Sequence, residues 1–260
     1  MEHSVRHTVI FTAVLCIVFS VLVSAVAVGL HDRQVENQRL HRIQNVLGVA
    51  GLKEPGERLS REELSSRFES GLEARVIDLA TGEYVEGIDA LSFDQRRAAK
   101  DPETSRPAPT NRAKVRRLPA HAVVYVIKDG SEETGLVLPI EGSGLWSTLY
   151  GFLALDSDAR TVRGITFYSH GETPGLGGEV DNPRWKSRWA GRLAFDDAWM
   201  PALRVKKGIA GPSDTDPYQV DGLSGATITS NGVTNMIQFW LGENGFGPYL
   251  ARQRSQGAQG

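Results

Sequence analysis

From Thr8 to Leu30 the sequence carries no formally charged side chain. As a helix rising about 1.5 Å per residue, this run is long enough to cross the ~30 Å hydrocarbon core of a bilayer. We therefore read residues 1–31 as a membrane anchor with its span at about 8–30. A cleavable secretory signal is the competing reading, because Ala25-Val26-Ala27 offers a small-x-small site. Such signals usually have an apolar core of about 7–15 residues, and the longer run here favours an uncleaved anchor. Orientation is contested by charge: Arg6 precedes the span, whereas Arg33, Arg39 and Arg42 follow it, and that count alone places the body on the cytoplasmic side.

Beyond the span, Val35, Leu40, Ile43, Val46 and Leu47 keep a loose helical spacing. This predicts a helical stalk over residues 32–70, with a break near Gly48 or Gly51 and a second short helix at 60–69. The remainder, residues 71–255, reads as a soluble α+β domain. Strands are expected at 74–79, 122–127, 135–140, 151–155, 162–168 and 203–207, and a helix at 184–191. Residues 95–118 are rich in Arg, Lys, Pro and Ala and read as a solvated surface excursion. A net charge of −2 argues against nucleic-acid binding. The single cysteine, Cys16, lies in the apolar run, so the rest of the chain has neither a disulfide nor a cysteine ligand for iron–sulfur clusters.

The strongest helix pattern of the soluble part joins Val233, Met236, Ile237, Trp240 and Leu241 at offsets of three and four. Just before it runs Asp221-Gly222-Leu223-Ser224-Gly225-Ala226-Thr227-Ile228-Thr229-Ser230. Ser230 or Thr229 can cap the helix, aiming first-turn N–H groups and the positive dipole end toward Thr227, where a phosphate would be favoured. An ordinary capped helix after a glycine turn is the plainer reading. A second glycine-rich run, His170-Gly171-Glu172-Thr173-Pro174-Gly175-Leu176-Gly177-Gly178-Glu179, lets backbone approach a flat ligand. It lacks the third glycine of a dinucleotide fingerprint at the required offset. Lys207 is a plausible phosphate neighbour, with a solvated lysine the equal alternative.

Asp221-Gly222-Leu223-Ser224-Gly225-Ala226-Thr227 resembles the flavinylation motif of the FMN-binding domain family. Gly144-Leu145-Trp146-Ser147 and Ser169-His170-Gly171-Glu172-Thr173-Pro174-Gly175-Leu176-Gly177 are similar to two further motifs of that family, in the same order. Within it, residues 93–102 and the insertion around them resemble the C subunits of sodium-translocating NADH:quinone oxidoreductases; the G subunits of Rnf complexes are second.

The resemblance implies an α+β fold with a mixed or antiparallel sheet and an FMN-binding part at about 135–250. It implies one covalent FMN, joined by a phosphodiester to Thr227 by a flavin transferase, with Thr229 the nearest rival acceptor. Ser224, Gly225 and Ala226 would hold the phosphate end. Glu172, Thr173, Leu176 and Gly177 would line the isoalloxazine ring, and Trp146 and Ser147 would bound the pocket. Asp221 would serve recognition by the transferase.

By the same resemblance, the chain is an electron carrier between NADH and a quinone such as ubiquinone. It would sit single-pass in a bacterial inner membrane, its domain periplasmic against the charge count, beside other membrane subunits of a sodium-transporting translocase. No catalytic residue and no metal ligand is expected, nor a complete turnover by this chain alone. Two other classes stand beside this reading: a membrane-anchored domain that binds flavin reversibly or acts as a scaffold, and a hydrolase built on Gly222-Leu223-Ser224-Gly225-Ala226. The hydrolase reading is weakened by chain order, since all six histidines precede Ser224.

Overall fold

The computed structural model describes residues 5–257. The chain divides into two compact units, one ending at Arg42 and the other beginning at Ile43. A long helix, α1 (Val5–Val49), starts in the first unit. Its segment Val5–His31 is exposed throughout and is, among the described residues, the one helix long and apolar enough to cross a membrane.

The second unit begins well before residue 71, because the end of α1 and the helix α2 (Arg61–Gly71) belong to it. Ser60 caps α2 reciprocally with Glu63, accepting from the Glu63 N–H while the Glu63 carboxylate accepts from the Ser60 N–H at 2.7 Å. The centre is a five-stranded sheet in the order β1 (Leu72–Asp78), β4 (His121–Asp129), β5 (Glu132–Ser143), β6 (Thr148–Asp156), β7 (Val162–Ser169), antiparallel at every pairing.

Both faces of this sheet are covered, which explains why β4 reads as an unbroken apolar run. Val124, Val126, Leu136, Leu138 and Leu153 pack with the long C-terminal helix α5 (Thr227–Leu241). On the alternate positions Tyr125 meets Phe68 of α2 and Phe152 of β6 in edge-to-face contacts. Near the end of α1, Val46 and Leu47 are fully buried, and Asn45 accepts a hydrogen bond from Thr166 of β7.

The excursion at 95–118 is more ordered than its composition suggests. It holds a short helix, α3 (Gln95–Ala98), and a small antiparallel pair, β2 (Ser105–Pro107) with β3 (Arg117–Pro119). Three small anchors, Ala113, Val115 and Leu118, enter the core, and the Asn111 side chain pins the turn between the strands through Pro109 and Val115.

The helix expected at 184–191 shrinks to one turn, α4 (Pro183–Lys186), after a 3-10 turn at Gly177–Asp181. The chain then turns, with Gly191 at φ +76°. The strand expected at 203–207 is only β8 (Arg204–Val205), paired in parallel with β9 (Gln219–Val220). A final helix, α6 (Gly247–Gly257), closes the described chain.

The apolar stripe expected on α5 is buried as a unit: Val233, Met236, Ile237, Trp240 and Leu241 are each at most 1% exposed. Trp240 donates its indole N–H to the Glu141 carbonyl at 2.7 Å. Near the other end, a side chain at Gly232 would meet the Ser143 carbonyl at 2.3 Å, so only glycine lets the helix lie this close to the end of β5. This seats the first turn of α5 beside the β5–β6 connection.

Candidate functional site

Three separated stretches meet at one buried carboxylate. Glu172 is 5% exposed, and its oxygens accept from the backbone N–H groups of Leu145 (3.2 Å), Trp146 (2.9 Å) and Ser147 (3.2 Å) and from the Thr229 hydroxyl (2.6 Å). Burial pushes this carboxyl up, but the Thr229 hydroxyl and the three N–H groups outweigh burial and hold it below its usual range. The β5–β6 turn, the loop after β7 and the first turn of α5 are thereby fastened together. Ser147 adds a second tie, accepting from the Gly171 N–H at 2.6 Å.

Two glycines of these runs are also required by packing inside the protein. A Cβ at Gly144 would lie 2.5 Å from Glu172 Oε1, and one at Gly177 would lie 2.7 Å from Glu172 Oε2 and 2.6 Å from Thr229 Oγ1. Both positions, buried themselves, make room for the carboxylate. Gly225 has φ +70°, and the Leu176 side chain covers it so closely that a Cβ would be 2.9 Å from Leu176 Cδ2.

The start of α5 corrects the expected capping. The helix begins at Thr227 with Ala226 as its N-cap, and no side chain caps it. Ser230 instead accepts from the Leu223 N–H at 3.1 Å, and Thr229 is spent on Glu172. Thr227 is exposed, whereas Thr229 is 1% exposed.

Thr227 opens into a cavity of about 470 Å³ whose walls include Lys207, Gly208, Asp221, Ser224 and Gly225. Ser224, Gly225 and Lys207 are exposed, and Ala226 is buried. Asp221 is occupied structurally: its carboxylate accepts from the Ala210 N–H at 2.8 Å and faces Arg188 at 3.7 Å, while its carbonyl accepts from the Trp185 indole at 2.8 Å. Lys206, next to Lys207, faces Asp216 at 3.6 Å.

Several apolar side chains in the same three stretches stay in water. Trp146 is 71% exposed, Ile228 58%, Leu145 47% and Leu176 45%. Thr173 is exposed too, its carbonyl accepting from the N–H groups of Leu176 and Gly178. Chemically the site offers an accessible hydroxyl at an uncapped helix start, a lysine beside it, and an apolar rim suited to a flat aromatic ring. Sequence reasoning missed the fastening role of Glu172, the Ser230 latch and the Asp221 anchor. A glutamate in a polar, glycine-rich run gives no periodic signal of burial.

The segment that builds this site, residues 144–242, matches the FMN-binding domain family. By class, then, the molecule is a flavin-binding domain behind an apolar N-terminal helix. The C subunit of the Na(+)-translocating NADH-quinone reductase of Yersinia pestis is 47% identical over 255 residues, covering 96% of this chain and 94% of that protein. Its counterpart in Vibrio anguillarum is 45% identical, covering 98% and 97%. Among solved structures, NqrC of Shewanella oneidensis superposes with a TM-score of 0.78 at 34% identity, covering 85% of this chain and 99% of that one. The chain belongs to the family of C subunits of Na(+)-translocating NADH-quinone reductases, which are oxidoreductase complexes. The expected α+β fold, with an apolar helix ahead of a largely antiparallel sheet, agrees with that structure.

Proposed function

We propose that this chain relays electrons through one FMN held by a phosphodiester to the Thr227 hydroxyl. The observation that carries the reading is the contrast between the two threonines: Thr227 is exposed beside the cavity, while Thr229 is buried and hydrogen-bonded. The residues present suit the group. The uncapped first turn of α5 offers N–H donors to a phosphate, with Ser224, Gly225 and Ala226 on the approach and Lys207 as a point charge. The exposed Trp146 and Leu176 offer apolar surface to the ring, with Thr173 and the backbone of Glu172 and Gly177 in the same loop as Leu176, and Ser147 tying the rim.

When bound, the flavin supplies the capacity to take up and release electrons, and the chain supplies binding, orientation and electrostatic bias. The covalent bond keeps the group in place in every redox state. The open rim suits exchange by contact with neighbouring subunits, so no complete turnover is assigned to this chain alone. We place the domain on the periplasmic side of the inner membrane, with a flavin transferase acting at the Asp221–Thr227 segment during maturation.

A denaturing gel of protein made together with such a transferase tests the reading. Flavin fluorescence should run with the unfolded chain and vanish from a Thr227→Ala variant. Fluorescence at the dye front would show a reversible binder instead, and no flavin at all would remove the cofactor assignment.

A further inference from the structure

The Glu172 carboxylate takes part in four hydrogen bonds and, when ionised, is the acceptor in each. The three N–H groups can only donate and so bond a carboxylate more strongly than a neutral carboxyl, whose O–H could turn only to the Thr229 hydroxyl. Yet no ion pair among the described residues includes Glu172. The facing groups are neutral: three backbone N–H groups from the 145–147 turn and the Thr229 hydroxyl from α5.

The nearest titratable group on its own loop is His170, whose Nδ1 accepts the Glu172 backbone N–H at 3.2 Å while its Nε2 meets Asp181 at 2.8 Å. The imidazole is thus turned to the main chain and to a second carboxylate, and it does not neutralise the Glu172 side chain. A full negative charge is held by dipoles alone in a nearly dry place, where its field is weakly screened. Its removal would also slacken the contact between Leu176 and Gly225, since both belong to stretches that Glu172 ties together.

We infer that Glu172 is a positioning residue for the flavin: its uncompensated charge fastens the three walls of the site and disfavours the build-up of negative charge on a reduced ring. The inference rests on the reading that this site holds FMN. Loss of the charge makes reduction easier, whereas loss of a neutral donor to it does not. A purely structural tie would change stability and leave the potential where it was.

The experiment compares wild type, Glu172→Gln and Thr229→Val, each made with a flavin transferase, by spectroelectrochemical titration of the bound flavin. Acid unfolding of the same chains without flavin is followed through tryptophan fluorescence. Glu172→Gln should move the midpoint potential to a more positive value. Thr229→Val, which keeps the charge, should leave the potential near that of wild type but shift the acid unfolding midpoint to higher pH.

An unmoved potential in Glu172→Gln, or an equal shift in Thr229→Val, would overturn the inference. Should Glu172→Gln fail to fold, Glu172→Asp is titrated in its place: it keeps the charge while loosening the ties, so its potential should stay near that of wild type, and a shift would overturn the inference. Wild-type protein without flavin on Thr227 would sink the cofactor reading alone, and the acid arm would stand apart from it.

Discussion

Thr229 Oγ1 lies 2.6 Å from Glu172 Oε2, inside the protein, while Thr227, two residues earlier on the same helix, faces water. A two-residue step on an α-helix turns a side chain through about 200°, so the two hydroxyls must point in nearly opposite directions. One threonine therefore serves the architecture, and the other is left accessible. Spacing in the sequence ranks the two only by analogy; the helix start ranks them by geometry.

Replacing Gly177 by alanine drives a methyl group into both partners of that hydrogen bond, at 2.6 Å and 2.7 Å. The variant should lose about 1–3 kcal/mol of stability, as overpacked interiors do. Urea denaturation of the flavin-free chain measures the loss, and an unchanged midpoint would show that the three loops are looser than described.

Acid should weaken the domain through Glu172. Its folded pKa lies below the usual value of 4.5, so its contribution is present above that value and is lost as pH falls through the depressed one. Glu73, held at about 2 chiefly by Arg75 and then by Lys128, adds to the same acid limb lower down. Thermal melts from pH 6 to pH 3 should show a falling Tm, most steeply below about pH 4.5. A flat profile would contradict the assignment.

Ser60→Ala provides a remote control. It removes the Ser60 half of the α2 capping box, far in sequence from the site, and should cost about 1 kcal/mol. Its flavin content should match wild type. Loss of flavin in this variant would mean that attachment tracks general stability more than the local geometry of Thr227.

Much of the architecture was legible because it follows periodicity. The α5 stripe, the β4–β5 pair and the apolar N-terminal run each repeat a simple pattern over many residues. Legibility failed where single residues act at long range. Leu118 and Val115 anchor a polar excursion one at a time, and Gly191 ends the helical stretch after α4 without a periodic warning.

Within the site, the three motifs signalled that something is bound, but not that Gly144 and Gly177 exist to admit a glutamate. That fact depends on a distance between residues far apart in the chain. The expected Thr229 or Ser230 cap failed for a related reason: both hydroxyls are taken by tertiary partners, Glu172 and the Leu223 N–H, before they can serve the helix.

Peptide mass mapping of protein purified with its flavin transferase tests the central claim most directly. An FMN-derived mass is expected on the peptide containing Thr227, with fragment ions placing it on Thr227, retained in Thr229→Val and absent from Thr227→Val. Flavin mass on Thr229, or the same mass persisting on the Thr227→Val chain, would contradict it.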